Sequence, residues 1–258
     1  ADGWVKRQRE IKDPTKSRIR EGDRILTVMV GSTRATIGFF SSMGTCYTAR
    51  FADIPASTGY GDPIQKLFKM KDGERIVSAI SFDPRVIGDV KEDPKNPDLC
   101  PETHGFAASS NGFALRFGFE PFVETSTRSG RRFARVTGDA AIVSVVPVDG
   151  SEVILAVSRA CRAMICAAEE INYLSGPGKG VTLIRLAADD VLLGFKASTG
   201  DRDLMTVKTN RGAKKTISTA KYRVTSRGGR GNEIQKNGKI SEIVLPPTAA
   251  PEPLSEPT

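Results

Sequence analysis

The sequence predicts an all-β protein, built as a propeller-like disc of about five four-stranded blades. Helical periodicity is weak throughout the 258 residues, whereas pairs of apolar strands around polar turns recur with a spacing of about 50 residues. A period of this length with about four strands per repeat is typical of blades that surround a central axis.

Four segments share the β-hairpin pattern of an apolar strand, a polar turn and a second, alternating strand. They are TIGFFSSMGTCYTARFADIP (36–55), HGFAASSNGFALRFGFEPF (104–122), VILAVSRACRAMICAAEEI (153–171) and LMTVKTNRGAKKTISTAKY (204–222). Gly44, Gly112 and Gly212 occupy the same turn position, and Cys161 replaces glycine once. DGWVKRQREIKD (2–13) matches the turn and second strand only, so we count a fifth, incomplete copy.

The turn spacing supports a true repeat. Cys161 follows Gly112 by 49 residues, and Gly212 follows Cys161 by 51. Gly44 and Gly112 are 68 residues apart, and the excess lies in the Pro- and Asp-rich segment 82–103. We therefore predict that 82–103 is a surface insertion.

A polar loop and a further apolar strand follow each hairpin. The loops are STGYGDPI, TSTRSGRR, SGPGKGVT and TSRGGRGN, in which Ser57, Thr125, Ser175 and Thr225 hold the same place. One domain is predicted over residues 1–245. The Pro-rich, acidic tail 246–258 is expected to be disordered.

The charge balance favours a polyanionic partner. The chain has 38 Lys and Arg against 30 Asp and Glu, with a net charge of +8 and a pI near 9.4. Residues 201–240 hold 11 basic and 3 acidic side chains, whereas 83–102 hold 3 basic and 6 acidic. There is no 18-residue apolar run and no signal-peptide pattern, so a soluble, cytoplasmic protein without membrane contact is expected.

No motif predicts catalysis or metal binding. The four cysteines form no CxxC pair and are expected to be reduced and buried. Cys100 and His104 have a ligand-like spacing but lack two further zinc ligands. A hydrolase would depend on His104, the only histidine, and no GxSxG motif is present. GPGKGVT (176–182) departs from the phosphate-loop motif because no Ser or Thr follows Lys179.

Several phrases resemble one known family. GWVKR (3–7), FFSSMGTCYTARFADIP (39–55) with its following G-x-G-x-x-I, and GKGVTLIRLAADDVLLGF (178–195) are similar to repeats of the C-terminal domain of the A subunit of bacterial DNA gyrase, shared with the A subunit of topoisomerase IV. The resemblance covers about residues 2–245. It implies a β-pinwheel, in which blades exchange strands and a basic rim binds and bends duplex DNA without sequence specificity.

The loop SRGGRG (226–231) is similar to the core of the gyrase A box, a glycine- and arginine-rich heptapeptide needed for DNA wrapping in that family. Its glycines would let backbone N–H groups approach phosphates, and its arginines would supply charge-assisted contacts. The family carries the box in the first repeat, where this chain has DPTKSRIREGD (13–23). We expect the displaced loop to fasten DNA where the ring closes. The gyrase and topoisomerase IV alternatives both remain open.

The predicted DNA-binding residues lie in the repeat loops and in the two basic ends, which a closed ring would join into one patch. They are Lys6, Arg7, Lys16, Arg18, Arg20, Arg128, Arg131, Arg132, Lys179, Lys214, Lys215, Arg227, Gly228, Gly229, Arg230 and Gly231.

The resemblance also implies partners. These are duplex DNA, the remainder of the topoisomerase A subunit and the ATPase-bearing B subunit. The isolated domain is expected to be a monomer, and the protein is expected to be associated with the nucleoid. No cofactor is expected in this chain, because ATP and Mg²⁺ are used elsewhere in the parent enzyme. The chain would be a non-catalytic part of an ATP-dependent type II topoisomerase, since nothing resembles the catalytic tyrosine region. The alternative is a β-propeller protein-interaction scaffold with no role on DNA.

Overall fold

The computed structural model describes residues 1–200 and 202–254. Almost all of its regular structure is β. In chain order the strands are β1 (Trp4–Val5), β2 (Thr36–Ser41), β3 (Thr45–Arg50), β4 (Asp62–Pro63), β5 (Ile76–Ser81), β6 (His104–Ser109), β7 (Phe113–Phe117), β8 (Arg131–Arg132), β9 (Ile142–Val148), β10 (Val153–Ser158), β11 (Arg162–Ala167), β12 (Tyr173–Leu174), β13 (Val181–Thr182), β14 (Leu192–Ser198), β15 (Met205–Thr209), β16 (Lys214–Ile217), β17 (Asn232–Glu233) and β18 (Ile240–Val244).

The helices of the described residues are short. They are α1 (Pro84–Ile87), α2 (Glu120–Val123) and the 3₁₀ turns Pro14–Lys16, Phe51–Asp53, Ile64–Lys66 and Ala168–Glu170. The predicted all-β class is confirmed.

The four predicted hairpins form, and their turns explain the repeated glycine. Gly44, Gly112 and Gly212 have φ angles of 80°, 85° and 82°, in the left-handed region that glycine enters without a Cβ penalty. Cys161 has φ 59° and is the one non-glycine residue with a positive φ in the described part of the chain. The equivalence of Cys161 with the turn glycines is therefore confirmed.

Neighbouring repeats exchange strands. The short strand after each repeat's loop pairs antiparallel with the second hairpin strand of the preceding repeat, as β4 with β1, β8 with β3, β13 with β7 and β17 with β11. The register is the same each time, with Trp4 opposite Pro63, Thr45 opposite Arg132, Phe113 opposite Thr182 and Arg162 opposite Glu233. This is the strand exchange that the resemblance implied.

The hairpin turn of one repeat also holds the next repeat in place. Backbone N–H groups just after each exchanged strand donate to the turn carbonyl of the preceding repeat. The donors are Ile64 to Gly3, Phe133 and Ala134 to Gly44, Leu183 and Ile184 to Gly112, and Ile234 to Cys161, at 2.8–3.2 Å. Because every inter-blade junction uses these bonds, the outer loops keep a fixed position relative to the preceding blade.

The strand that completes each repeat lies towards the inside of the array. β5 contacts β9, β9 contacts β14, and β14 contacts β18, so these strands of successive blades lie side by side. Each pairs with the first hairpin strand, and the exchanged strand is added beyond the second. The exchanged strands and their loops therefore form the outer edge.

Within the described residues, five sheets correspond to the five predicted repeats, but the two end sheets are smaller. The first contains β1 and β4, and the last contains β16, β15 and β18. No strand from a later repeat is added to β16 within the described residues.

Buried side chains form clusters within and between successive blades. Phe40 of the second repeat lies 5.2 Å from Phe133 of the third, between ring centroids, in the cluster that joins these blades. None of the four clusters of described residues combines side chains of 203–245 with side chains of 1–54. Ring closure therefore stays a prediction.

The segment 82–103 leaves the repeat frame between β5 and β6, and α1 is its only regular element. It lies against blade three of the five, where the Tyr173 hydroxyl donates to Glu92 at 3.3 Å and the Glu92 N–H donates to Glu120 at 2.5 Å. Residues 246–254 of the tail carry no helix or strand, and 255–258 lie outside the described residues.

Candidate nucleic-acid interface

Four of the loops on the outer edge end in a glycine that is packed against the preceding blade. The four glycines share a positive φ, and a Cβ on any of them would lie 2.0–2.8 Å from a backbone oxygen of the neighbouring strand. The pairs are Gly61 with Val5, Gly130 with Cys46, Gly180 with Ala114 and Gly231 with Ala163. Their lack of a side chain therefore lets two blades approach each other.

The box-like loop 226–231 is held by backbone hydrogen bonds. The Gly228 N–H donates to Leu183 at 2.8 Å, and the Gly229 carbonyl accepts from Arg185 N–H at 2.8 Å. We expected the glycine N–H groups to be available for phosphates. That expectation is wrong for Gly228, because its N–H already has a partner. Gly231 also has a structural role, in contact with Ala163.

The two arginines of this loop differ. Arg227 is half-buried, and its Nε donates to the Glu170 carbonyl at 2.8 Å and its Nη1 to the Thr182 carbonyl at 3.3 Å. Its backbone N–H donates to the Glu170 carboxylate at 3.1 Å. Arg230 is exposed and makes no side-chain hydrogen bond or ion pair within the described residues. Arg227 therefore fastens the loop, whereas Arg230 is free to contact another molecule.

The place of this loop in the array also differs from expectation. Its strand β17 pairs with β11, so the loop lies between the last two blades of the chain. The loop that would face the last blade across a closed ring is 13–22, in the first repeat. The prediction that SRGGRG lies where the ring closes is therefore wrong, because each repeat gives its strand to the repeat before it.

The remaining loop cations lie along the same outer edge. Arg131 and Arg132 form β8 and are both exposed. Lys179 Nζ lies 3.8 Å from the centroid of the Phe113 ring, and Arg20 lies 4.6 Å from that of Trp4. Cation–π contacts of this kind hold a charged group over an aromatic face while leaving its outer side open.

Several predicted cations already have partners. Lys6 Nζ donates to the Arg18 carbonyl at 2.9 Å and to the Gly59 carbonyl at 2.8 Å, and burial together with the Arg18 charge lowers its pKa. Arg7 Nε donates to a carbonyl at 3.4 Å, and Lys16 is 3.5 Å from the Asp13 carboxylate. These contacts reduce what the first repeat can offer to phosphates.

Other predicted cations are placed as follows. Arg18 is exposed, and Lys214 (exposed) and Lys215 (half-buried) lie on β16 in the last blade. Arg128 is exposed and donates from Nη2 to the Lys66 carbonyl at 3.4 Å. The described contacts do not join the two basic ends into one patch.

Two exposed arginines on this edge, Arg135 and Arg185, were not among the predicted residues. Each lies five residues after the loop glycine, at Gly130 and Gly180. The signal was present in the sequence, because the same offset gives a cation in four repeats. This recurrence is visible only when the repeats are aligned on the glycine that precedes the exchanged strand, and not when they are aligned on the hairpin turns.

The two ends of β7 have opposite surroundings. Its first residues pair with β13, next to Lys179, whereas its last residues pair with β12, next to Glu92 of the acidic insertion. Burial raises the pKa of Glu92. The loop cation Lys179 therefore lies at the hairpin-turn end of this blade, and the carboxylates of Glu92 and Glu120 lie at the other end, where Arg116 is also located.

His104 has a structural environment. The ring is buried, with Nδ1 2.9 Å from the Pro101 carbonyl and Nε2 3.3 Å from Arg116 Nη1. Arg116 Nη1 also lies 3.7 Å from the Cys100 sulfur. A guanidinium between Cys100 and His104 disfavours a cation at that place, and both ring nitrogens are in use. The alternatives of a zinc site and a hydrolase gain no support.

No helix of residues 1–200 and 202–254 has the length and hydropathy to span a membrane.

An array of strand-exchanging blades with a cationic outer edge defines a β-pinwheel. The chain matches the family described as DNA gyrase C-terminal domain, beta-propeller, over residues 106–149, 174–198 and 209–242. The chain is thus similar in sequence to the C-terminal domains of the A subunits of DNA gyrase.

Curated relatives agree. The A subunit of DNA gyrase from Rickettsia bellii is 27% identical over 194 residues, which are 72% of this chain and 20% of that protein. The A subunit of DNA gyrase from Mycoplasma genitalium is 26% identical over 211 residues, 81% of this chain and 23% of that protein. The chain thus spans about a fifth to a quarter of these relatives.

Solved structures share the fold. The C-terminal domain of DNA topoisomerase IV has a TM-score of 0.79 at 18% identity, covering 94% of this chain and 74% of that one. The E. coli ParC C-terminal domain has a TM-score of 0.71 at 18% identity, covering 94% of each. The DNA gyrase A C-terminal domain has a TM-score of 0.62 at 17% identity, covering 93% and 74%.

Proposed function

We propose that the outer edge of this domain binds duplex DNA and bends it, without sequence specificity, to position a DNA segment for strand passage by a type IIA topoisomerase. The observation that carries this proposal is the row of exposed cations at the loop ends of successive blades. Arg132, Lys179 and Arg230 belong to three consecutive repeats on the same edge. The remainder of the topoisomerase A subunit and the ATPase-bearing B subunit are the proposed partners.

The chemistry of the edge suits phosphates rather than bases. Short two-residue strands and tight glycine loops present no helix or ribbon that could enter a groove. Side chains on such loops reach the DNA backbone, which carries no sequence information. The chain would thus contribute DNA binding, and bond breaking would belong to the rest of the enzyme.

The energetic balance is reasonable. Bending duplex DNA by 40–90° over 20–30 base pairs costs about 1–6 kcal/mol. An edge that makes about 6–10 phosphate contacts gains enough through counterion release to offset this cost.

The test is titration of a labelled duplex of about 40 base pairs at several salt concentrations. Six or more phosphate contacts give a log–log slope of about −5 or steeper. End-to-end energy transfer on a doubly labelled duplex reports bending in the same samples. Weak binding with a flat salt dependence would refute the proposal and favour the protein-interaction scaffold.

A further inference from the structure

A cation recurs at one position of the exchanged segment. In four repeats it lies five residues after the glycine that ends the outer loop, and two residues after a residue whose backbone N–H donates to the turn carbonyl of the preceding blade. The four residues are Lys66, Arg135, Arg185 and Lys236. Because the offset is constant, each side chain leaves the outer edge at the same point of its junction.

Backbone contacts bring two of these residues to the next loop. The Arg135 N–H donates to the Gly178 carbonyl at 2.9 Å, and the Arg185 N–H donates to the Gly229 carbonyl at 2.8 Å. Lys179 and Arg230 directly follow those glycines. Each of these two junctions therefore places an arginine of one repeat beside a loop cation of the next.

The side chains at these junctions are not neutralised. Arg135 and Arg185 are exposed and form no side-chain hydrogen bond or ion pair within residues 1–200 and 202–254. Lys66, the equivalent residue of an earlier repeat, instead lies 2.6 Å from Asp62. Arg185 and Arg227 line one open cleft with Asp190, whose carboxylate accepts from the Ala160 N–H at 2.8 Å.

Like charges at close range repel each other unless an anion lies between them. We propose that Arg135 and Arg185 contact DNA phosphates at the two junctions, each together with the loop cation of the following repeat. The inference rests on the proposed function, and it adds two DNA contacts that lie outside the loops. A planar guanidinium can hold a phosphate through two parallel hydrogen bonds.

The consequence is continuity of the DNA path. Loop cations alone would touch the backbone once per blade, and a stiff duplex could span the gaps without following the curve. Arginines at the junctions bind the backbone between those points. They should therefore affect bending as well as affinity.

The experiment compares Arg135→Ala/Arg185→Ala with Arg34→Ala/Arg50→Ala. Arg34 and Arg50 are exposed and lie at the end of the β2–β3 hairpin opposite its turn, so the control removes the same charge from the other end of a blade. Salt titrations use the duplex of about 40 base pairs, and the log–log slope changes by about 0.9 for each phosphate that is no longer neutralised.

We expect the junction variant to have a slope shallower by about 2, an affinity about 10- to 100-fold lower at about 0.1 M salt, and less bending at saturation. The control variant should keep the wild-type slope. Arg135→Lys/Arg185→Lys should restore the slope, since it restores the charge.

The outcomes separate the two proposals. If the wild type itself binds without salt dependence, the proposed function fails. If the wild type binds as expected and the junction variant matches the control, the function stands and the role of Arg135 and Arg185 is refuted. The hydrogen bonds of Arg135 to Gly178 and of Arg185 to Gly229 use backbone N–H groups, which these substitutions keep. The variants should therefore unfold at the same temperature as the wild type, and this measurement checks that they are folded.

Discussion

Replacing Gly231 with alanine should destabilise the domain, although this glycine lies in the loop that most resembles a DNA-binding motif. Its φ is 69°, and a Cβ would lie 2.5 Å from the Ala163 oxygen and 2.8 Å from the Ala163 carbonyl carbon. The obstacle is backbone of a buried strand, which cannot move aside as a flexible side chain can. The loop itself would have to withdraw.

The magnitude follows from two costs. A non-glycine residue in the left-handed region costs about 1–3 kcal/mol. Withdrawal of the loop weakens the Ile234 N–H to Cys161 bond of 2.9 Å and its neighbours, at about 1 kcal/mol each. We expect a decrease of about 2–5 kcal/mol in the free energy of unfolding, from these two costs together. That lowers Tm by about 4–20 °C in a domain of this size, at about 2–4 °C per kcal/mol.

Gly228 and Gly229 provide matched comparisons in the same loop. Gly228 has φ 79°, but its nearest neighbour would be 3.7 Å from a Cβ, so Gly228→Ala has only the conformational cost. Gly229→Ala meets the Met164 side chain at 3.7 Å, an ordinary contact, and should leave Tm unchanged. Thermal unfolding followed by circular dichroism measures all three variants. An unchanged Tm for Gly231→Ala, or equal decreases at Gly229 and Gly231, would refute the reasoning.

Three further predictions concern the loops and their anchors. Arg230→Ala should make the log–log salt slope of DNA binding shallower by about 1 at constant Tm. Arg227→Ala should lower Tm by about 2–8 °C, because two side-chain hydrogen bonds are removed. If the ring closes, the register of the four existing junctions places Asp23 opposite Lys214, so Asp23→Cys/Lys214→Cys should form a disulfide within one chain, detected as a mobility shift on non-reducing gels. Burial and the Arg116 charge lower the pKa of His104, so wild-type stability should be full above about pH 6.5 and fall as the pH drops towards the folded-state pKa, whereas His104→Gln should lack that fall in urea titrations.

Each of these predictions has a control. Equal Tm decreases for Arg227→Ala and Arg230→Ala would contradict the first. Arg131→Cys should link to Cys46, its directly opposite partner, as a positive control for the second. In the Asp23→Cys/Lys214→Cys variant, disulfide-linked dimers would mean that separate chains associate, and the absence of a disulfide would mean that the array is open. Parallel pH profiles for wild type and His104→Gln would contradict the third.

The repeat was predictable because it depends on local chemistry. A left-handed turn residue is needed in every hairpin, so glycine recurs at Gly44, Gly112 and Gly212, and even Cys161 could be placed by its spacing. Equivalent loop positions were predicted within about one residue. The backbone N–H groups of Ser57, Ser126 and Thr225 donate to equivalent carbonyls of the preceding blade. In the third repeat the equivalent residue is therefore Ser126, one position after the predicted Thr125.

Long-range pairing was not predictable from the residues themselves. Exchanged strands are two residues long, too short for any periodicity, and only the family resemblance implied them. The role of Arg227 depends on Glu170, 57 residues earlier in the chain. A glycine-rich, charged loop has the same appearance in sequence whether its N–H groups face solvent or a neighbouring blade.

The distribution of ion pairs moves the expected centre of DNA contact from the ends of the chain to its middle. The exchanged strands at both ends of the array carry acids that neutralise nearby cations, as Asp62 does Lys66 and Glu233 does Arg162 at 3.2 Å. The equivalent residues of β8 are Arg131 and Arg132, which have no acid beside them on that strand. A chain whose net charge of +8 served only solubility would not need to leave its cations unpaired along one edge and pair them elsewhere. The high basic content of residues 201–240 is thus a weaker guide to the DNA path than the pairing of each cation.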